Sequence, residues 1–491
     1  MEKPNDLEIY LADAHRGELV ARVRALIDGL GVDYIYYQYV SITGRIMGKA
    51  VPARHWESMA VSGVQTSFGG MTNSAVDSDG RKIGYGANSH ELTAMPDPET
   101  FCQLPWNKRV ARVFCTCFRE REDSDRPGML LERDVRGNLR RIDDAFRRTH
   151  DGLHMRVGCE QELLWLKPGA EYDPALGITS PNAYHIRQFE KLSEVWLRVY
   201  DYAVAMGLDV IQGDHEDAPG LVELNFMYDD ALRTADRLTT YRQICAQVAD
   251  EFGLIAMFMP KLYQGVAGNG CHHNVSLWTG GEGRVEKLVG DPLPGMDEVF
   301  TYSGGGRNEL CDPDGANGLS DIGRHAVGGI LEHLGALTAI ACSTVNSYRR
   351  LNDLGKWTPV DASWGPQNRS CSVRYYGSDR FEFRPADSLV NPYLMQAALL
   401  RAMDDGITNR IDPGEPETRE RTYLLRSGEA VREIPETLRD ALDALAADEV
   451  VRSALPGDLY EVYDRCKRAE WRRFVGEVSD WDVKNYMDAL P

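Results

Sequence analysis

The sequence predicts an α+β protein that is organised in two parts, with a boundary near residue 125. With 491 residues, of which 43% are hydrophobic, the chain is long enough to bury a large core. Strand-like segments and glycine-rich loops occupy most of the first 118 residues. After the polar stretch REREDSDRPG, strand-like and helix-like segments alternate, so we expect both kinds of element in the second part.

The first part is expected to begin with a helix and to continue as strands. Residues 16–28 place apolar side chains at helical spacing, and Gly29 predicts the end of that helix. Residues 33–40, DYIYYQYV, predict a strand that is followed by the turn ITGR. VARVFCTCF, at residues 110–118, predicts another strand.

The second part contains longer helices and a set of strands rich in acidic residues. A glycine-rich loop is expected at 264–271, and a looped insertion at about 279–318. The other predicted elements are helices at 131–150, 187–206, 236–252, 321–342, 390–405, 435–447 and 458–475, strands at 155–165, 255–259 and 272–278, and a hairpin around 213–225.

Composition excludes several classes of protein. The formal net charge of −20 argues against a nucleic-acid binder and against a basic membrane anchor, although the acidity could simply aid solubility. No apolar run approaches the roughly 20 residues that a membrane span needs, and the polar N-terminus does not resemble a signal peptide. The ten cysteines include no CxxC pair. The sequence therefore predicts a cytoplasmic protein without nucleic-acid or membrane partners.

Carboxylates recur on predicted strands beside apolar residues. In GCEQELLW, strand alternation puts Glu160 and Glu162 on one face, where they repel each other unless a cation lies between them. Glu216 and Glu223 flank the Pro-Gly turn of HEDAPGLVELN, and Glu382 lies in RFEFRP. Each acid alone could be a solvated charge at a sheet edge. Together they favour a site for divalent cations.

A histidine and a group of arginines extend this pattern. His272 follows a glycine-rich turn in GNGCHHNVSLW, a common position for a metal ligand, although a structural histidine is the ordinary alternative. Because the ligand set is rich in oxygen and lacks sulfur, it suits Mg²⁺ or Mn²⁺. Guanidinium groups bind carboxylates and phosphates, so arginines nearby indicate a phosphorylated, anionic substrate, unless they form structural salt bridges. These arginines are Arg349, Arg350, Arg369, Arg374, Arg380 and Arg384.

Taken in order, these segments resemble the glutamine synthetase family. The resemblance runs through TGRIMGKAVP, GCEQELL, HEDAPGLVELN, GNGCHHNVSLW, NSYRRL, NRSCSVR and RFEFRPADSLVNPYLMQAALL. It implies an N-terminal extension at 1–18, a β-grasp domain at 19–125, and a catalytic domain at 126–491 with a curved antiparallel sheet. It also implies a homo-oligomer, a dodecamer of two stacked hexameric rings, with active sites between subunits.

The resemblance implies a role for each matching residue. It implies two or more metal ions per active site, Mg²⁺ or Mn²⁺. Ligands of the first ion would be Glu162, Glu216 and Glu223, and ligands of the second would be Glu160, His272 and Glu382. Glutamate would contact Glu162, Gly268, Arg350 and Arg384. Phosphoryl transfer would involve Arg369, Arg384 and Glu382, and ATP would contact Tyr228, Asn274, Ser276 and Arg374.

The implied reaction joins glutamate to an amine. ATP, the co-substrate, would phosphorylate the γ-carboxylate of glutamate, while metal ions and arginines neutralise charge on the phosphoryl oxygens. An amine would then attack the γ-glutamyl phosphate, release phosphate and leave an amide.

Two positions depart from the family pattern on the side of the nucleophile. In SITG, Ser41 occupies the place of an acid that binds ammonium in glutamine synthetases. In NDLGKWTPV, Trp357 occupies the place of the flap glutamate, with Lys356 as the neighbouring candidate. A cation site has thus become neutral and apolar, which favours a small alkyl or aromatic amine. The alternatives are a glutamine synthetase that uses ammonia, and a catalytically silent family member, which the six retained ligand positions argue against.

Overall fold

The computed structural model describes residues 3–77, 79–123, 125–169, 173–178, 182–281, 306–352, 357–359, 361–377, 379–420 and 432–488. Its strands are β1 (Tyr34–Val40), β2 (Ile46–Pro52), β3 (Val64–Ser67), β4 (Glu91–Pro96), β5 (Cys102–Leu104), β6 (Asn107–Arg119), β7 (His154–Leu166), β8 (Val210–His215), β9 (Leu221–Phe226), β10 (Asp229–Asp230), β11 (Ile255–Met257), β12 (Cys271–Thr279), β13 (Arg307–Asn308), β14 (Trp364–Pro366), β15 (Val373–Tyr375) and β16 (Phe381–Phe383).

The helices are α1 (Asp6–Ala12), α2 (Ala14–Leu30), α3 (Trp56–Ser62), α4 (Phe68–Met71), α5 (Val135–Thr149), α6 (Ile186–Glu190), α7 (Ser193–Ala205), α8 (Ala231–Phe252), α9 (Asp321–Glu332), α10 (Leu334–Ala341), α11 (Ser347–Leu351), α12 (Pro392–Asn409), α13 (Leu438–Ala447), α14 (Glu449–Arg452), α15 (Leu459–Val475) and α16 (Asp480–Tyr486). None of these helices is long and apolar enough to cross a membrane.

Two sheets organise the described residues. The N-terminal sheet has the order β2-β1-β6-β4-β3, with β5 also paired to β6; β1 and β6 are parallel and the other pairs are antiparallel. The C-terminal sheet has the order β14-β15-β16-β12-β7-β9-β8, and β10, β11 and β13 pair with its central strands. In this larger sheet β14 and β15 are parallel and the remaining pairs are antiparallel. This arrangement confirms the predicted α+β class.

Helices cover one side of the larger sheet and leave its carboxylate-bearing face for the site. α8 packs against β7, and α12 packs against α5, α8 and α9. α12 begins where Asn391 accepts hydrogen bonds from the backbone amides of Tyr393 and Leu394, with Pro392 as the first helical residue. A buried ion-pair network, in which Arg136 of α5 binds Asp97 and Asp236 at 2.9 and 2.8 Å, fastens the N-terminal sheet to α8.

Several predicted boundaries were wrong for local reasons. The first long helix continues past Gly29 and ends at Leu30, because Gly31 adopts the left-handed conformation and caps it. The predicted helix 321–342 is broken between α9 and α10 at His333. The predicted helix 187–206 is likewise two helices, α6 and α7. Of the predicted insertion, residues 282–305 lie outside the described part of the chain.

Candidate active site

The acidic residues meet because four neighbouring strands bring them into register. Glu160 on β7 lies opposite His272 on β12, and Glu162 on the same face of β7 lies opposite Glu223 on β9. Paired residues of an antiparallel ladder project to the same side of the sheet. One face of the sheet therefore carries the carboxylates and the imidazole that the sequence singled out.

Glu160, His272 and Glu382 form one group of potential ligands. Their ligand atoms all lie within 4.8 Å of one another. His272 Nδ1 is 3.4 Å from Glu160 Oε2 and 3.1 Å from Glu382 Oε1. Burial and Arg384 act to lower the pKa of His272, but its bonds to the two carboxylates outweigh them and raise it to about 9. Without a metal ion, the imidazolium serves as the cation that the carboxylates require.

Asp214, Glu216 and Glu223 form the second group, again with ligand atoms within 4.8 Å. Burial and neighbouring carboxylates raise the pKa of Asp214 to about 6 and that of Glu216 to about 8. The same causes raise the pKa of Glu223 well above its ordinary value, and the charges that act on it most strongly are all carboxylates. This donor set is rich in oxygen and short of positive charge, which fits Mg²⁺ or Mn²⁺.

Glu162 stands between the second group and a backbone loop. Its Oε2 accepts a hydrogen bond of 2.8 Å from the backbone amide of Gly270. Gly270 leaves room for this contact, because an added Cβ would lie 3.0 Å from both Glu162 Oε1 and Arg350 Nη2. The sequence predicted that Glu162 binds the same ion as Glu216 and Glu223, and Asp214 was missed. Strand alternation in GDHE, which puts Asp214 and Glu216 on one face, could have revealed it.

The residues expected to contact glutamate lie together beside this group. Arg350 is buried, its Nη1 donates to the Pro385 carbonyl at 3.0 Å, and its Nη2 lies 3.4 Å from His272 Nε2. Gly268 packs closely against Arg350, since an added Cβ would be 3.3 Å from Arg350 Cγ and 2.3 Å from the Pro260 carbonyl oxygen. The buried Arg350 guanidinium is thus directed toward the carboxylates, and the glycine-rich loop beside it leaves room for this position.

Two arginines hold Glu382 from the other side. Arg384 Nη1 donates to Glu382 Oε1 at 2.5 Å, and Arg374 Nη1 donates to Glu382 Oε2 at 3.2 Å. Burial acts to raise the pKa of Glu382, but Arg384 and then His272 outweigh it and hold that pKa well below its ordinary value. Arg384 Nε also donates to the Arg369 carbonyl at 2.9 Å, so the predicted phosphoryl-transfer residues are contiguous.

The residues expected to contact ATP lie on or next to strands of this sheet: Asn274 and Ser276 on β12, Arg374 on β15, and Tyr228 just before β10. Asn274 Nδ2 donates to Glu160 Oε1 at 2.7 Å, and its Oδ1 accepts from Arg380 Nε at 3.0 Å. Tyr228 lies across β7 from Asn274: a Cβ added at Gly158 of β7 would be 3.3 Å from Tyr228 Cβ and 3.9 Å from Asn274 Cβ. Asn274 therefore anchors a ligand-group carboxylate, a contact that the sequence did not predict.

The other two nucleotide candidates have their own partners. Ser276 Oγ accepts a hydrogen bond of 2.8 Å from Trp278 Nε1. Arg374 donates to the Tyr376 hydroxyl at 2.8 Å, and the guanidinium carbons of Arg374 and Arg380 lie 4.3 and 4.2 Å from the centroid of the Tyr376 ring. Tyr376 thus holds both arginines near the first ligand group, where Arg374 also donates to Glu382.

The structure does not bring Ser41 and Trp357 together within the described part of one chain. Trp357 is 57% exposed, and its carbonyl accepts from Arg384 Nη2 at 3.4 Å, which places it at the edge of the site. Ser41 is fully buried, its hydroxyl accepts from the Arg45 amide at 3.1 Å, and it closes the turn after β1. The Ser41 hydroxyl is thus held within this turn, and its contact with the amine stays a prediction. Lys356, the alternative to Trp357, lies outside the described residues.

Tyr184 is a further residue at the mouth of the site that sequence reasoning missed. It is exposed, adopts a positive φ of 62°, and its amide donates to the His215 carbonyl at 2.7 Å. Burial of part of the ring and the nearby Glu216 raise the pKa of Tyr184, and Arg369 bonds to its hydroxyl. A positive φ is uncommon for an aromatic residue. Only the aromatic in the polar stretch NAYHIR hinted at it.

Comparison with known proteins agrees with this geometry. A family model described as glutamine synthetase, catalytic domain, matches residues 132–290 and 299–486. The chain is 31% identical to a glutamine synthetase of Rhizobium meliloti over 470 residues, which cover 93% of this chain and 97% of that protein. It is 32% identical to a glutamate–methylamine ligase of Methyloversatilis universalis over 472 residues, with 93% and 96% covered.

A solved structure gives the same result at the level of the fold. A GmaS–ADP complex superposes with a TM-score of 0.81 at 30% sequence identity, covering 95% of this chain and 99% of the other. The likeness therefore includes both sheets and the ligand-bearing strands. Matches of this extent show that the chain belongs to the glutamine synthetase family of ATP-dependent ligases.

Proposed function

We propose that this ligase joins the γ-carboxylate of L-glutamate to a small organic amine, alkyl or aromatic, through a γ-glutamyl phosphate. The observation that carries the proposal is the exposed side chain of Trp357, whose backbone carbonyl accepts a hydrogen bond from Arg384 at the edge of the carboxylate groups. Similarity to a glutamate–methylamine ligase and to a GmaS structure supports it.

Two groups of residues would hold the divalent cations. Glu160, His272 and Glu382 suit one ion, and Glu162, Glu216 and Glu223 suit the other, with Asp214 as an additional carboxylate. Bound Mg²⁺ or Mn²⁺ would supply positive charge for the phosphate oxygens. Because buried, mutually repelling carboxylates are costly without a cation, the donor sets themselves support metal binding.

Each side chain then has a defined task. Arg350, buried beside Gly268, would bind the α-carboxylate of glutamate. Arg369 and Arg384 would neutralise charge that develops on the transferred phosphoryl group. ATP would lie beside Tyr228, Asn274, Ser276 and Arg374, with its phosphates toward Arg374. Its terminal phosphate would thus be directed toward the γ-carboxylate.

The amine would approach from the side of Trp357 and Tyr184. Two exposed aromatic rings at the entrance favour an amine that carries an apolar substituent, since each buried CH₂ contributes about 0.8 kcal/mol. Ammonium has no apolar surface and needs charge-assisted contacts, each worth about 1.5–3 kcal/mol. An indole in the place of a flap glutamate removes one such contact. We therefore propose that apolar burial replaces charge in nucleophile binding.

A glutamine synthetase that uses ammonia is the second candidate. It is supported by the similarity to the glutamine synthetase of Rhizobium meliloti, because that identity of 31% nearly equals the 32% identity to the glutamate–methylamine ligase. A catalytically silent member is disfavoured, because the chain retains all six residues expected to bind metal, and acidic residues cluster in two groups whose potential ligand atoms lie within 4.8 Å of one another.

We also propose that the chain is divided into an extension at 1–18, a β-grasp domain at 19–125 and a catalytic domain at 126–491.

We further propose a homo-oligomer of two stacked hexameric rings. Apolar side chains near the C-terminus are exposed in the single chain and support association, notably those of Val478, Trp481, Tyr486 and Met487. Each active site would lie between neighbouring subunits of these rings.

ADP release tests the reaction. The protein is incubated with glutamate, ATP and Mg²⁺, first without an amine, then with ammonium, and then with a panel of alkyl and aromatic amines. We expect turnover that depends on an organic amine, with the γ-glutamyl amide identified by mass spectrometry. Turnover with ammonium alone would support the glutamine synthetase, and no turnover with any nucleophile would support the silent member.

A further inference from the structure

The strands that carry the catalytic carboxylates hold a different set of donors on their opposite face. Side chains of successive residues alternate between faces, so Cys159, Cys271 and His273 project away from Glu160 and His272. Cys159 on β7 lies directly opposite His273 on β12, and Cys271 follows two residues before His273 on the same face. Two potential sulfur ligands and one imidazole ligand are thus clustered behind the site.

Geometry and burial set this cluster apart from ordinary core cysteines. The two sulfur atoms and a ring nitrogen of His273 lie within 4.8 Å of one another, and all three side chains are buried. His273 Nδ1 is 2.8 Å from the Cys271 carbonyl oxygen, which assigns the ring proton to Nδ1. His273 Nε2 is then a buried acceptor with no hydrogen-bond partner among the described residues. An unpaired buried acceptor costs about 1–3 kcal/mol, so this nitrogen requires a ligand or a donor.

We propose that Cys159, Cys271 and His273 bind one thiophilic metal ion of the Zn²⁺ class on the face of the sheet opposite the catalytic carboxylates. Two thiolates and an imidazole are donors that such cations select over Mg²⁺. Zn–S and Zn–N bonds of about 2.3 and 2.0–2.1 Å place ligand atoms on a tetrahedral ion about 3.5–3.8 Å apart. Because the ligand atoms lie within 4.8 Å of one another, a contraction of at most about 1 Å would achieve this spacing.

Charge balance also permits the ion in a buried place. Each thiol loses its proton to solvent when its sulfur binds, so two protons leave as one divalent cation enters and the net charge is unchanged.

The site would clamp β7 to β12 directly behind Glu160 and His272. It does not rest on the proposed amine chemistry, because its ligands do not reach the carboxylate face. An ion here would hold the register of the two strands that position both catalytic ligand groups. Metal in this place would therefore be structural and would leave the choice of amine unchanged.

The wild-type full chain provides the first test. It is incubated with Cd²⁺ or Zn²⁺ in excess Mg²⁺, so that Mg²⁺ occupies the carboxylates, and unbound metal is removed by gel filtration. We expect one bound thiophilic ion per chain, a thiolate-to-Cd²⁺ charge-transfer band, and an X-ray absorption spectrum with two sulfur ligands and one imidazole nitrogen. No retained ion, or an ion with oxygen and nitrogen ligands only, would overturn the proposal.

Substitutions provide the second test. Cys159→Ala, Cys271→Ala and His273→Gln should each weaken Cd²⁺ binding at least tenfold, measured by competition with a chelating dye. Cys115→Ala is the matched control, because Cys115 and Cys117 are a buried pair of thiols on β6 in the other sheet. Full retention in the cluster variants, or an equal loss in the control, would contradict the assignment. If a variant fails to fold, the wild-type spectrum decides alone.

Discussion

In the metal-free protein, Glu216→Gln should reduce the fall in the free energy of unfolding that accompanies rising pH. Burial and the neighbouring Glu162 raise the pKa of Glu216 from 4.5 to about 8. The folded chain therefore keeps a proton on this group to higher pH than the unfolded chain does, so the free energy of unfolding falls as pH rises from about 4.5 to about 8. At about 1.4 kcal/mol per pKa unit the difference corresponds to at most about 5 kcal/mol. Partial access of water reduces this to a few kcal/mol.

The assay is urea denaturation of the chelator-treated protein at intervals between pH 5 and 9. We expect stability to fall across this range in the wild type, to fall less in Glu216→Gln, and to recover at high pH when Mg²⁺ is added. Glu190→Gln is the control for the lost charge, since Glu190 is exposed at the end of α6. If Glu216→Gln and Glu190→Gln have the same pH profile as the wild type, the carboxylates of this group do not repel one another as described.

Further substitutions separate the roles of the other residues. Asp214→Asn should weaken Mn²⁺ binding about 10–100-fold, measured by electron paramagnetic resonance, because it removes a carboxylate of the second group; unchanged affinity would exclude it from the site. Arg350→Ala should mainly raise the KM for glutamate, whereas Arg369→Ala should lower kcat about 10²–10³-fold. The reason is that only Arg369 meets charge that develops in the transition state. The opposite pattern in initial-rate kinetics would mean that the roles are exchanged. Trp357→Ala should reduce the preference for an organic amine over ammonium, and Trp357→Glu should reduce it further; if the ratio of kcat/KM values stays constant in both variants, the indole does not select the amine.

Most of the ligand groups could be predicted from the sequence because they depend on local order. Strand alternation places Glu160 and Glu162 on one face, and the structure bears this out through their pairing with His272 and Glu223. Alternation in GDHE shows that Asp214 shares a face with Glu216, but its approach to Glu223 depends on how β8 pairs with β9. Two hydrogen-bonded strands bring Asp214 opposite Glu223, and the irregular pairing near Val210 sets that register.

Features that depend on distant contacts could not be predicted. The break between α9 and α10 occurs where His333 lies 2.7 Å from Asp448 and 3.1 Å from Asp405, two residues far along the chain. Similarity to the family gave the position of Ser41 but not the direction of its hydroxyl, which the Arg45 amide holds within the turn. A motif thus specifies which residue is present, whereas packing decides which way its side chain faces.

The choice of nucleophile is the central claim, and a competition experiment tests it most directly. Wild-type enzyme receives glutamate, ATP and Mg²⁺ with ammonium and one small organic amine together, and mass spectrometry follows glutamine and the γ-glutamyl amide over time. We predict that kcat/KM for the best alkyl or aromatic amine exceeds that for ammonium at least about tenfold, which requires only about 1.4 kcal/mol of added apolar contact. Glutamine formed at least as efficiently as every amide tested would contradict the account and identify ammonia as the substrate.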